Sequence, residues 1–343
     1  MPNAKLQSYL HFHVIVFIWG FTAVLGALIS IDALPLVFYR MWLASGFIFL
    51  WILYKKKPLK MTAKQLLILA SAGIVIALHW LTFFEAIKVS NVSITLALIA
   101  TGAFFTSIME PIFYKRKVIW YEVFFGVLVI AGLYIIFNVE TDYVLGIILA
   151  LISAFLSAVF SLINGKLAQK GDASVISFYE LLIGVIAITI YLGFDTFIGE
   201  ASAGFTSEFF QLSNQDWLLL LVLASVCTAY AFIASVAVMK YLSPYTIMLT
   251  INLEPVYGII LAFFIFGSKE EMNPEFYYGA LIILSTVVLN GILKCVRILP
   301  VYPNLLTRSV LSLPNGQRCH SQTKTTTRYR WCSCFGTRIA KTS

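Results

Sequence analysis

The chain has 343 residues, of which 60 % are apolar and only 12 % charged, too few charged groups to cover the surface of a water-soluble globule of this length. The formal charge of +8 invites a nucleic-acid partner, but residues 1–295 hold 16 Lys/Arg against 16 Asp/Glu, so the whole excess lies in the last 48 residues. Lipid is therefore the expected solvent and nucleic acid is excluded as a partner.

Crossing a hydrocarbon core of about 30 Å takes about 20 apolar residues as a helix. Ten such runs follow one another at 11–31, 34–54, 66–86, 93–114, 118–138, 143–164, 174–194, 217–239, 244–266 and 276–295. The amino-terminal segment shows no small-residue cleavage site after its apolar run, so the first run reads as a retained span. The longest connection, Asp195 to Asp216, is rich in Gly, Ser and acids and reads as an exposed loop. Residues 296–343 carry eight Lys/Arg and no acid. They read as a basic, disordered tail, and their abrupt change of composition equally suits residues foreign to the natural chain.

Lysine and arginine are retained on the cytoplasmic side of a membrane. With the amino terminus inside, Lys5, Lys55, Lys56, Lys57, Lys60, Lys64, Lys115, Arg116, Lys117, Lys166, Lys170, Lys240, Lys294 and Arg297 all fall in the cytoplasm, and only Lys88 and Lys269 fall outside. A fourteen-to-two bias places both termini in the cytoplasm.

The chain also matches itself. Ala86-Ile87-Lys88 through Lys117 lie over Val238-Met239-Lys240 through Lys269 at a constant offset of 152, and Phe38-Tyr39-Arg40 matches Phe178-Tyr179-Glu180 at an offset of 140. Five spans per copy is odd, so the copies enter the membrane from opposite sides. The expected fold is all-α, with ten transmembrane helices in two inverted five-helix repeats over 11–138 and 143–295, an architecture suited to alternating access. The same offset separates two similar dipeptides: Glu254-Pro255 lies over Gly102-Ala103 and not over Glu110-Pro111, which sits beside Lys115, Arg116 and Lys117 as a local charge group.

The stretch AVMKYLSPYTIMLTINLEPVYG over 237–258, followed by an apolar helix, Gly267-Ser268-Lys269-Glu270 and the last span with Gly279, resembles the second half of EamA-type transporters of the drug/metabolite transporter superfamily. Trp19-Gly20, Pro35 with Arg40, and Phe84-Glu85-Ala86-Ile87-Lys88 carry the resemblance through the first half. It covers about residues 11–295, and the first copy departs from the pattern in having Ala103 where the second has Pro255. The resemblance implies secondary active transport of small metabolites such as amino acids, in the export direction, across the cell membrane.

Ionisable groups inside lipid are candidates for function. Glu254 lies deepest, ten residues into its span, with Asn252 before it and Pro255 after it to break the helix. A carboxyl on a broken helix at mid-membrane suits substrate binding or proton coupling, and alternatively only holds helices together. Arg40 and Glu180 sit at matching depths below opposite surfaces, too far apart for a salt bridge. Arg40 either attracts a carboxylate or phosphate or snorkels outward; Glu180 faces the inner vestibule or is structural. His79 either shuttles a proton or bonds between helices. Trp19, Tyr39, Trp80, Tyr230 and Thr101 are candidates to line a pocket.

No Gly-rich phosphate loop ends in Lys-Ser or Lys-Thr, and no aspartate pairs offer a magnesium site, so neither ATP-driven transport nor prenyl transfer is indicated. The cysteines form no metal or disulfide framework, and neither an enzyme activity nor a cofactor or metal is expected. The partners expected are a small molecule, protons and lipid, as monomer or homodimer. Besides export, two further readings stay open: uptake or exchange of a sugar- or nucleotide-like anion, and a membrane scaffold or receptor that transports nothing.

Overall fold

The computed structural model describes residues 2–115, 117, 120–197, 204–242, 247 and 250–298. The expected tail lies outside the described residues, apart from its first three positions, which end the last helix.

Lipid-soluble segments satisfy every backbone group internally, and here they do so as helices. They are α1 Pro2–Leu28, α2 Ala33–Tyr54, α3 Ala63–Val89, α4 Val92–Ile99, α5 Gly102–Tyr114 and α6 Trp120–Val139, followed by α7 Val144–Leu167, α8 Ala173–Phe197, α9 Asn214–Ala224, a π-helical turn Ser225–Tyr230, α10 Ala231–Val238, α11 Glu254–Phe266 and α12 Pro274–Ile298. Among the described residues there is no strand. Helix starts are fixed by side chains that accept otherwise free amides. Thr62 and Gln65 form a reciprocal capping box for α3, Asn91 Oδ1 accepts from Ile94 N at 2.8 Å, and Ser213 Oγ accepts from Asp216 N at 3.0 Å.

Among the described residues, seven stretches are long and apolar enough to cross a membrane: Leu6–Leu28, Ala33–Tyr54, Ala63–Val89, Val92–Tyr114, Thr141–Leu167, Ala173–Phe197 and Asn214–Val238. The remaining expected spans, 118–138, 244–266 and 276–295, fall on α6, α11 and α12. α6 is a 20-residue helix, and α11 has 13 residues because the span that holds it is interrupted before Glu254. Large apolar side chains such as Leu50, Ile112, Tyr134, Ile190 and Phe264 point outward around the bundle, which is the surface a protein presents to hydrocarbon.

The helices pack in a recurring pattern. α1 packs on α11 as α4 and α5 pack on α7; α3 lies on α8 as α9 and the π-turn lie on α2; α2 meets α8, α4 meets α11, and α6 pairs with α12. Lipid supplies no hydrophobic drive between helices, so close backbone approach has to supply the contact. Gly132 and Gly279 provide it between α6 and α12: a Cβ on either would stand 2.9 Å from the other's carbonyl oxygen.

Hydrogen bonds tie the helix ends into two groups. At one end Lys57 Nζ donates to both Asp172 oxygens at 2.9 Å and to Ser174 Oγ at 2.8 Å, Tyr179 OH donates to Leu59 O, and Gln169 Nε2 donates to Met239 O. At the other, Ser30 donates through N and Oγ to Asp216 at 2.7 Å, Val92 N and Ser93 N donate to Glu270, Asn273 donates to Glu140, and Lys88 Nζ donates to Ile29 O. The first end carries Lys55–Lys57, Lys60, Lys64, Lys115, Lys117, Lys166, Lys170 and Lys240; the second carries Lys88 and Lys269.

The connection read as an exposed loop is partly folded in. Phe209 is 6 % exposed and packs with Phe205 on Phe38, while Tyr39 OH donates to Phe209 O at 3.2 Å. The aromatic residues override the Gly, Ser and acidic composition around them.

Candidate functional site

Two interrupted helices lie at the centre. α4 ends at Ile99, Ala100 and Thr101 form a turn, and α5 restarts at Gly102. Thr101 N donates to Leu98 O at 3.0 Å and Phe105 N to Thr101 O at 3.1 Å; 152 residues later Leu253 N donates to Thr250 O at 3.0 Å and Tyr257 N to Leu253 O at 3.1 Å. The second break, at Asn252-Leu253, was expected from Pro255. Pro255 stands in the first turn of α11, directly after the break, where a missing N–H costs nothing, and the first copy breaks at the same place with Ala103, so a proline is not required there. In that copy Thr101 Oγ1 donates to Leu98 O at 2.7 Å, which reinforces the tightened turn. Pro111, by contrast, lies inside α5 without ending it.

Glu254 heads α11 at the second break, 9 % exposed, and Asn252 is 3 % exposed with no partner for Nδ2. α1 passes directly beside them, since a Cβ on Gly20 would lie 2.9 Å from Tyr257 Cβ and 3.5 Å from Glu254 O.

Arg40, from α2, is 2 % exposed. Its Nε donates to Thr228 Oγ1 at 2.7 Å, and its guanidinium carbon stands 3.9 Å from the Trp80 ring centroid and 5.3 Å from that of Phe84. Snorkelling is thereby ruled out: the group is held inside by cation–π contacts and a charge-assisted hydrogen bond. Thr228 can accept from Arg40 because it belongs to the π-turn, where its own hydroxyl donates five residues back to Leu223 O at 2.7 Å. Glu254 and Cys227 lie near enough to interact electrostatically with Arg40. They make no direct ion pair, the one salt bridge among the described residues being Lys57–Asp172. Arg40 Nη1 is buried with no partner, so one edge of the guanidinium remains open.

Thus Arg40 and Trp80 are in contact, within electrostatic range of Glu254, with Asn252 next to Glu254 and Thr101 at the matching break. The other candidates stand elsewhere. Glu180 is 0 % exposed and accepts from Asn164 Nδ2 at 3.3 Å, forming no bridge with Arg40. His79 Nδ1 lies 2.9 Å from Ser153 O and 2.8 Å from Ser153 Oγ, between Phe83 and Phe160, and so joins α3 to α7. Trp19 is half-buried against Phe12. Tyr39 is sealed beneath Phe209 and Trp217. Tyr230 does not line a pocket: it is 46 % exposed on the outside of the bundle, with its OH 2.7 Å from His11 Nε2. Sequence reasoning missed Thr228 and Cys227, although a Ser-Val-Cys-Thr run in the middle of an apolar span was a visible signal.

An all-helical, multi-pass membrane protein with charged groups gathered at interrupted helices is the class these observations define. The model of the EamA-like transporter family matches residues 7–138 and again 144–292, and the chain belongs to that family of membrane transporters. It is 22 % identical over 296 residues to an uncharacterized transporter of Archaeoglobus fulgidus, covering 84 % of this chain and 97 % of that one. It is 25 % identical over 233 residues to an uncharacterized transporter of Clostridium kluyveri, covering 64 % of this chain and 70 % of the relative. A solved crystal structure shares the fold with a TM-score of 0.61 at 14 % identity, over 84 % of this chain and 98 % of the other.

Proposed function

We propose that the protein is a secondary active transporter of the cytoplasmic membrane that exports amino acids or related small metabolites by alternating access. Ten crossings in two inverted five-helix halves, 11–138 and 143–295, form the moving parts, with both termini in the cytoplasm. The double match of the family model, the packing pattern and the hydrogen bonds repeated at 152 residues support the two halves. The division of lysines between the two ends supports the orientation.

The observation that carries the substrate class is the open Nη1 edge of Arg40 with Glu254 nearby but unbonded to it. A guanidinium edge takes a carboxylate and a carboxylate takes an ammonium, so the two together suit a zwitterion. Asn252 Nδ2 is a further donor beside the break. Glu254 is also the coupling group, exchanging a proton as the substrate's ammonium enters and leaves. The open edge of Arg40 by itself would also hold an anion, which favours as a second reading the uptake or exchange of sugar- or nucleotide-like anions.

Proteoliposomes loaded with pools of amino acids, sugar phosphates and organic acids separate these readings. The first predicts efflux of amino acids that responds to an imposed pH gradient. Efflux of anionic solutes alone would favour the second, and no flux of any pool from well-folded protein would count against transport.

A further inference from the structure

The second half of the molecule holds a group of buried oxygens that this site does not use. Glu180 and Ser177 on α8 and Asn164 on α7 are each 0 % exposed. Glu180 Oε1, Asn164 Oδ1 and Ser177 Oγ have no hydrogen-bond partner. Asn164 Nδ2 reaches Glu180 Oε2 at 3.3 Å, and Ser177 lies one turn before Glu180 on the same face of α8. α3 closes the place from another side, because a Cβ on Gly73 would come to 2.5 Å from the Glu180 carbonyl oxygen. Among the described residues no Lys, Arg or His nitrogen stands within 4.0 Å of the Glu180 carboxyl.

Three unpartnered oxygens around one buried carboxyl need something positive. A proton would neutralise Glu180 and supply one donor, enough to pair either Asn164 Oδ1 or Ser177 Oγ but not both. One small cation can accept lone pairs from a carboxylate, an amide oxygen and a hydroxyl oxygen at once. All the donors are hard oxygens, which excludes a preference for soft or imidazole-seeking metals, and a single carboxylate balances a monovalent charge better than a divalent one. We propose that Glu180, Asn164 and Ser177 bind a sodium ion, in the half of the bundle toward the lysine-rich end and apart from Arg40 and Glu254.

The test uses the full chain in detergent, with sodium chloride titrated against choline chloride at constant ionic strength and with potassium chloride for comparison. Sodium should raise the thermal unfolding midpoint saturably, by about 3–6 °C at concentrations far above its dissociation constant. Asn164→Ala and Ser177→Ala should weaken the apparent sodium affinity at least tenfold, Glu180→Gln should abolish the response, and Glu254→Gln should preserve it. Asn164→Ala and Ser177→Ala leave the carboxyl in place and keep the test meaningful if Glu180→Gln fails to fold. A wild-type midpoint equal in sodium and choline overturns the proposal, as does a sodium response that survives all three variants. A midpoint that follows pH while sodium adds nothing at any pH also overturns it, in favour of a proton. None of these outcomes bears on pH-driven flux through Glu254, so the two readings fail separately.

Discussion

Arg40 and Glu180 are each the eighth residue of their helices, α2 and α8, and each is almost wholly buried, yet their surroundings have nothing in common. Arg40 is gripped by Trp80 and Thr228 with one edge free. Glu180 has a single long hydrogen bond from Asn164 and a free oxygen. The interrupted helices differ in the same sense: identical hydrogen bonds at an offset of 152 frame Gly102 in one copy and Glu254 in the other. Backbone hydrogen bonding is duplicated at the two breaks while the side chains are not, and the two buried charged groups differ in the same way.

The strongest way to break the comparison is at Arg40. Arg40→Gln removes a charged hydrogen-bonding partner worth about 1.5–3 kcal/mol, so transport of a zwitterion should fall about 10- to 100-fold, measured as initial efflux from proteoliposomes. Arg40→Lys should recover only part, because an ammonium cannot offer Nε to Thr228 and a second edge to a ligand together. Next comes Thr228→Val, which removes the acceptor for Arg40 Nε and the donor to Leu223 O. Its expected effect is a loss of about 1–3 kcal/mol, read as a lower unfolding midpoint with weaker substrate affinity. Gly279→Leu wedges α6 from α12, far from either charge; it should lower the midpoint while leaving the substrate preference of the folded fraction unaltered.

The smallest effect belongs to Lys57→Ala. Burial works to raise the Asp172 carboxyl, but hydrogen bonds from Ser174 and Lys57 and the Lys57 charge bring it below its ordinary value. A depressed carboxyl contributes stability that is present at neutral pH and lost as pH falls through its folded value. The pair is partly exposed, so Lys57→Ala should cost under about 1 kcal/mol at pH 7, and the difference from wild type should vanish at pH below that value.

Much of the scaffold was legible in the sequence because hydropathy reads length and polarity directly: over their described residues the apolar runs fall mostly on helix, interrupted at Ala100-Thr101 and at Asn252-Leu253. The break before Glu254 was legible through Pro255, whereas its twin at Ala100-Thr101 has no proline and is marked only by a threonine followed by Gly102. The π-turn left no trace, since a change in hydrogen-bond register does not alter hydropathy. Depth along a helix could separate Arg40 from Glu180, yet it carries no information on lateral packing, so the approach of Arg40 to Trp80 and Glu254 came only with the structure. The outward placement of Tyr230 was hidden for the same reason.

The central claim is that Arg40 reads the carboxylate of a zwitterion and Glu254 its ammonium. It is tested most directly by competition in proteoliposomes, using a transported amino acid, its decarboxylated amine and its deaminated acid against wild type, Arg40→Gln and Glu254→Gln. Wild type should prefer the whole amino acid to both analogues, Arg40→Gln should accept the amine as readily as the amino acid, and Glu254→Gln should do so for the acid. If Arg40→Gln still prefers the amino acid to the amine as strongly as wild type, the carboxylate is read somewhere else and the account is wrong.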